Sequence, residues 1–454
     1  MPQFRNPKLA DAFKKWLEEA STFLRDKLPI SKNIGNSGMR SVISYEHSGQ
    51  SWSEVTVPQS PGGLLYDHRD EIPNLVSYQT VVNLLHTDPD SSQLTGKFVG
   101  TSAGAWLVEW KDLPERFIHE YWLVRRSLEY DDAAFASVYG SLEGFIYDNE
   151  LPRTLTIPLQ NFDSDGDSLN FGNGMNACLI TPALYESLYL RGGTFRSEYR
   201  TEYRGLRSWL LTVQTSEKKA VRERDEHVPV AEIPWHKPYR LAESLIKVLR
   251  IYKDGSPTFH FVDECTPWAV QGGRAYPRVT FGKSDKLILL TNELADFNAF
   301  FSTFQKIDLK VDRFLRVAID RFSNAMDRIA PEDSVIDLSI CLEALLLSGL
   351  GSEEDRGNLS YRFALHGARL LGRDFAERKK FYRKLKKVYG IRSKIVHGAG
   401  SFDLPKDDFG KHVTMDQFRE LLEELARACF RKFFSQFEDT GTTCRIDWDS
   451  VTLN

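Results

Sequence analysis

Apolar positions in the last third of the chain recur with the 3.6-residue period of a helix, whereas those in the middle do not. From about 305 to 437 the spacing predicts five helices. The first carries Phe314, Leu315, Ala318, Phe322, Met326 and Ile329 and is ended by Pro331. The second, over 334–350, is apolar nearly all round, as a helix enclosed by others would be. A third covers 359–372, and a long fourth continues to His397. The fifth opens at Thr414 with Gln417 three residues on, a capping box, and runs through Phe418, Leu421, Leu422, Leu425 and Phe433. Short connections between them predict an antiparallel bundle.

The upstream pattern is different. Asn6 and Pro7 supply cap and first-turn chemistry for a helix whose apolar face is Leu9, Phe13, Trp16, Leu17, Ala20 and Leu24, before Pro29 stops it. Between about 54 and 215, short strand-like runs such as LTIPL (155–159) and SWLLTV (208–213) are interrupted by turn residues, without a fixed-period repeat. The charged run from Glu217 to His227, followed by Pro229, Pro234 and Pro238, predicts an exposed connection. A helical pattern over 239–252 and strand-like pieces near 257–262 and 278–290 lead into the bundle. The expected fold class is therefore α+β. An amphipathic helix (1–30) precedes a mixed α/β or β-rich domain (31–215) and a linker with a connecting subdomain (216–304). An all-α five-helix domain (305–440) and a short tail (441–454) complete the chain.

Composition narrows the function classes. Of 454 residues, 41% are apolar and 27% charged, which excludes disordered and fibrous chains. A formal charge of −4 excludes a uniformly basic nucleic-acid coat. Five cysteines (178, 265, 341, 429, 444) without a C-x-x-C support neither a disulfide framework nor a thiolate zinc site. No apolar run approaches 18 residues and no signal-peptide core is visible, so a cytoplasmic protein without a membrane partner is expected.

The fourth helix departs from the average. Between Arg369 and Lys394 stand eleven Lys/Arg against Asp374 and Glu377, a net +9 in a chain of −4. A solvated helix face usually mixes signs, whereas a single-sign stripe is what a phosphate backbone attracts. Lys380, Arg383, Lys384, Lys387 and Lys394 are the candidate RNA-binding residues. The same helix carries an apolar stripe of Phe381, Leu385, Val388, Ile391 and Ile395, and Arg392 falls within its angular range. A guanidinium there needs a partner or a cleft. Ser393 and His397 are i and i+4 neighbours, so the hydroxyl can orient the imidazole. Gly398 suits the position after the helix end, where the dipole favours imidazolium at His397. Asp337 and Glu343, the two acids of the otherwise apolar part of the second helix, are candidate partners that would orient Arg392, or members of ordinary structural ion pairs.

RSKIVHG (392–398) resembles the R-x4-6-H motif of HEPN domains. PEDSVIDLSICLEALLLSG (331–349), LSYRFALHGARLLG (359–372) and VYGIRSKIVHG (388–398) follow the order and spacing of the Apea-like HEPN branch. The resemblance covers about 130 residues, 305–440. It implies a metal-independent endoribonuclease that cleaves by attack of the RNA 2′-OH, working as a homodimer with paired motifs across the interface. His397 would be the acid/base, Arg392 the phosphate clamp and Ser393 the supporting polar residue. No cofactor and no metal is implied. A toxin or antiviral-defence (abortive infection) effector, with an N-terminal region that senses a phage- or stress-derived trigger, fits this description. The alternative is a non-catalytic dimeric HEPN sensing or binding module.

Other motifs carry less. GTSAG (100–104) matches the nucleophile-elbow pattern G-x-S-x-G and makes Ser102 the nucleophile of a serine-hydrolase alternative, given a strand-then-helix context. G-x-G-x-x-A over 172–177 follows a polar run rather than a buried strand and reads as a turn. DSDGD (163–167) lacks the Gly and Glu that a calcium loop places further on.

Overall fold

A computed structural model describes residues 3–27, 41–45, 52–56, 65, 67–101, 104–181, 184, 188, 208–224, 237–259, 261–275, 285–349, 358–397, 404 and 412–453. The chain forms two compact units that interleave in sequence. The first takes residues 1–158, 173–240 and 261–276; the second takes 159–172, 241–260 and 277–454. Both helices and sheets are present, an α+β composition.

In the first unit, α1 (Pro7–Lys27) begins where Asn6 Oδ1 accepts the Leu9 N–H at 3.1 Å. The six apolar positions read from its spacing are all buried. They pack against α2 (Val76–Thr87), α3 (Leu113–Arg125) and α4 (Asp132–Tyr147). Phe13 meets Phe117 at 4.6 Å, and the Trp16 indole donates to the Pro114 carbonyl at 2.9 Å. Each such buried side chain contributes about 1.5–3 kcal/mol, so α1 is held by its face rather than by propensity.

Strands β1 (Ser41–Tyr45) and β2 (Trp52–Thr56) pair antiparallel. Strands β3 (Phe98–Thr101) and β4 (Gly104–Leu107) form a hairpin in which Gly100 lies opposite Ala105. A Cβ on Gly100 would stand 2.1 Å from the Gly104 carbonyl, so the close approach requires glycine. The two strand runs read from the sequence, LTIPL and SWLLTV, fall in β5 (Glu150–Leu159) and β9 (Trp209–Lys218). With β8 (Met175–Leu179), β11 (Phe261–Thr266) and β12 (Val270–Ala275) they lie in the order β12-β11-β5-β9-β8. The charged run that begins at Glu217 is not wholly a connection: Glu217 and Lys218 end β9, and Ala220–Arg222 form β10, antiparallel to β3. Glu217, Lys218 and Arg222 sit on paired strands, and Glu217 is recruited by the buried Arg153, which also pairs with Glu264. Residues 225–236 lie outside the described residues.

The second unit holds the helices read from periodicity. After α5 (Lys237–Tyr252), the short strand β13 (Leu287–Ile288) pairs parallel with β6 (Phe162–Asp163). Helix α6 (Leu294–Lys306) packs on β7 (Ser168–Gly172) through Phe171 and Phe297, 5.6 Å apart. Then come α7 (Arg313–Met326), α8 (Pro331–Leu346), α9 (Leu359–Leu371), α10 (Phe375–Val396) and α11 (Met415–Thr440). Helix α8 packs on α7, α10 and α11, and α9 on α10. Pro331 occupies the first turn of α8, so this helix starts three residues before the expected 334. Thr414 and Gln417 make the anticipated capping box.

The expected tail is also structured. Gly441, at φ +67°, ends α11, and α12 (Trp448–Leu453) lies on α9. Trp448 stacks on the buried His366 at 4.2 Å and donates to the Ser348 carbonyl at 2.8 Å. His366 Nδ1 lies 2.6 Å from the Leu346 carbonyl. Together the two rings satisfy carbonyls left open at the end of α8.

Candidate nucleic-acid interface and active site

Helix α10 positions nearly every candidate residue. Asp374 caps it by accepting the Glu377 N–H at 2.8 Å, and Leu385, Val388 and Ile391 are buried on the side that packs on α8 and α9. The predicted stripe thus fixes which side of the helix faces inward. Lys380, Arg383, Lys387 and Lys394 are exposed on the other side and Lys384 is half-buried. Part of the +9 is used within the chain. Arg373 holds Glu377 through two guanidinium contacts, Arg369 donates to the Thr452 carbonyl, and Lys387 reaches the Leu404 carbonyl at 3.3 Å. Among the described residues, no carboxylate pairs with Lys379, Arg383, Lys384, Lys386 or Lys394.

Arg392 finds one of its two proposed partners. Its Nε lies 3.5 Å from Glu343 Oε1, with 29% and 22% of the two side chains exposed. The spacing is too long for a good hydrogen bond, and among the described residues neither atom has a hydrogen-bond partner. Burial pushes the Glu343 carboxyl above its ordinary range, with Arg392 opposing that shift only in part. Asp337, by contrast, does not orient Arg392. It is buried between Arg321 Nη1 and Arg328 Nε, both at 2.8 Å. Six residues of helix separate Asp337 from Glu343, about 120° around the axis, so only one of them can face α10.

Ser393 and His397 meet through the backbone. The His397 N–H donates to the Ser393 carbonyl at 3.1 Å, while among the described residues no hydroxyl–imidazole hydrogen bond is formed. His397 closes α10 with an exposed side chain. Around the helix, Arg392 and His397 are about 140° apart and about 7.5 Å apart along it. Arg392 therefore turns toward α8 while His397 lies on the solvent side with the lysines, and one chain does not close the pair into a single cleft. Gly398 lies outside the described residues.

The remaining motifs resolve differently. Ser102 itself is outside the described residues, but Gly104–Leu107 is a strand paired back on Phe98–Thr101. A hairpin stands where a nucleophile elbow needs a helix. Gly172, Asn173 and Gly174 all take positive φ, as the turn reading expects. Asp163 and Asp165 bind Lys286 and the Thr291 N–H, tying β6 to the segment around β13. No cluster of metal-ligating side chains is found among the described residues, and no helix there is long and apolar enough to cross a membrane.

The docking of α12 leaves no trace in the sequence pattern, since six residues are too few to show a period. Comparison with protein-family models, curated proteins and solved structures finds no match to this chain.

Proposed function

We propose that the chain is a metal-independent endoribonuclease of HEPN type, in which α10 binds RNA and its end carries out transesterification. The observation that carries this reading is the single-sign exposed face of α10 that terminates in Ser393 and the exposed His397. His397 removes the 2′-OH proton or protonates the leaving 5′ oxygen, and a guanidinium stabilises charge on the phosphoryl oxygens. Arg392 is suited to the second task because its contact with Glu343 is loose and its side chain is partly exposed. The 140° between the two residues supports a dimer in which a second copy completes each site. The N-terminal region then regulates a toxin or antiviral-defence activity in the cytoplasm, answering a phage- or stress-derived trigger. Incubating the protein with RNA in excess EDTA tests the chemistry. Cleavage leaving 2′,3′-cyclic phosphate or 3′-phosphate ends is expected; cleavage abolished by EDTA, or ends carrying 3′-OH, would refute it.

A further inference from the structure

One face of α10 carries a seven-residue repeat that the basic stripe conceals. Phe375, Tyr382 and Tyr389 are spaced by seven, and Lys379, Lys386 and Ser393 follow each of them by four, before His397 closes the helix. At about 100° per residue all seven fall within about 80° of arc, in a row about 33 Å long. Phe375 is 80% exposed, far beyond what an apolar ring of a packed helix shows, and Tyr361 of α9, 52% exposed, lies edge-on to Tyr382 at 6.1 Å. Lys386 Nζ stands 6.0 Å from the centre of the Tyr382 ring. Lys379 and Lys386 are exposed, and among the described residues neither is paired with a carboxylate.

We propose that this row is a track for single-stranded RNA which, resting on the ribonuclease reading above, leads the strand to Ser393 and His397. Bases stack on Phe375 and on the open sides of the half-buried Tyr382 and Tyr389, the latter backed by the buried Phe363 at 5.7 Å, while Lys379 and Lys386 hold the phosphates between them. Successive rings are about 10.5 Å apart along the helix, whereas stacked bases in a duplex strand rise about 3.4 Å. Only an unstacked strand can place bases on successive rings, so the row selects single strands over duplex. Charge decides the occupant. A second copy laid on this face would bring lysine to lysine with no acid in the row, whereas an anionic strand complements it.

The test uses an oligouridylate of about 12 nucleotides with 2′-O-methyl groups, which removes the attacking hydroxyl and separates binding from cleavage. Anisotropy compares this strand with a duplex of equal length, for the intact protein, Phe375→Ala/Tyr382→Leu, and Tyr382→Trp. The strand should bind more tightly than the duplex. The double variant should lose roughly ten-fold or more in affinity with its salt dependence retained, since the lysines remain, and Tyr382→Trp should bind as the intact protein does. Phe375 is too exposed to matter for folding, and leucine at 382 keeps an apolar contact with Tyr361. Equal binding of strand and duplex, or indifference to the ring substitutions, would overturn the track, and continued cleavage of ordinary RNA would leave the ribonuclease reading intact. Ring-dependent strand binding without any cleavage would uphold the track and overturn the ribonuclease. A change of sedimenting mass without a change of affinity would assign the row to contact between copies instead.

Discussion

The pair Arg392–Glu343 shows how one residue's environment decides what it can do. Glu343 is held neutral-prone by burial, and its partner sits at 3.5 Å rather than in a tight fork. A carboxyl whose folded pKa lies above its unfolded value binds more protons when folded. Stability is therefore lost as pH rises from the ordinary value near 4.5 through the higher folded one, and the cost persists at neutrality. Glu343→Gln removes that titration, so the variant should melt above the unaltered protein at pH 7, with the gap closing as pH falls below about 4.5. Thermal melts across that range check it; a variant that melts lower at pH 7 would show instead that the ion pair outweighs the burial, and a gap independent of pH would show that the Glu343 titration is not its source.

At the scale of elements, what the sequence disclosed follows from the strength of each local signal. Helices α7 to α11 repeat apolar residues over 13 to 26 positions, long enough for the period to stand out. Strand β10 did not, because Ala220–Arg222 is only three residues long inside a charged run and gains its place by pairing with β3. The two acids of α8 looked equivalent in sequence, but the registry between α7, α8 and α10 gave Asp337 to Arg321 and Arg328 and left Glu343 to Arg392. Such registry is a property of packed helices and not of any one of them. Helix α12 belongs to the same class of hidden feature. Trp448→Ala removes the ring on His366 and the donor to Ser348, so a loss of about 3–5 kcal/mol is expected in denaturant unfolding of the second unit. His366, whose imidazole burial holds below its ordinary range, adds a pH signature. A buried neutral imidazole stabilises above the ordinary 6.5 and less so as pH falls below it, and freeing the ring should weaken that acid sensitivity. A loss well below 1 kcal/mol with unchanged acid response would mean that α12 is not anchored by this pair.

For the whole molecule, the proposed chemistry implies a site shared between two chains, and this is tested by mass. Arg392 and His397 point to different sides of α10, and a second copy is the simplest source of the missing group. Sedimentation equilibrium at micromolar concentration should give about twice the 52.0 kDa of one chain. A single-chain mass under conditions of full cleavage would remove the shared-site account.

The measurement nearest the central claim is RNA cleavage in EDTA by the unaltered protein beside folded variants of its end-of-helix residues. His397→Ala and Arg392→Ala should abolish cleavage. Arg392→Lys should also be badly impaired, because loss of a charge-stabilising donor can cost about 10²–10³ in rate and an ammonium cannot fork onto two oxygens. Ser393→Ala should be milder, since its hydroxyl holds no hydrogen bond to the imidazole among the described residues, and Ser102→Ala should change nothing. Full activity in His397→Ala, or no RNA cleavage by the intact protein even when its trigger is supplied, would contradict the account.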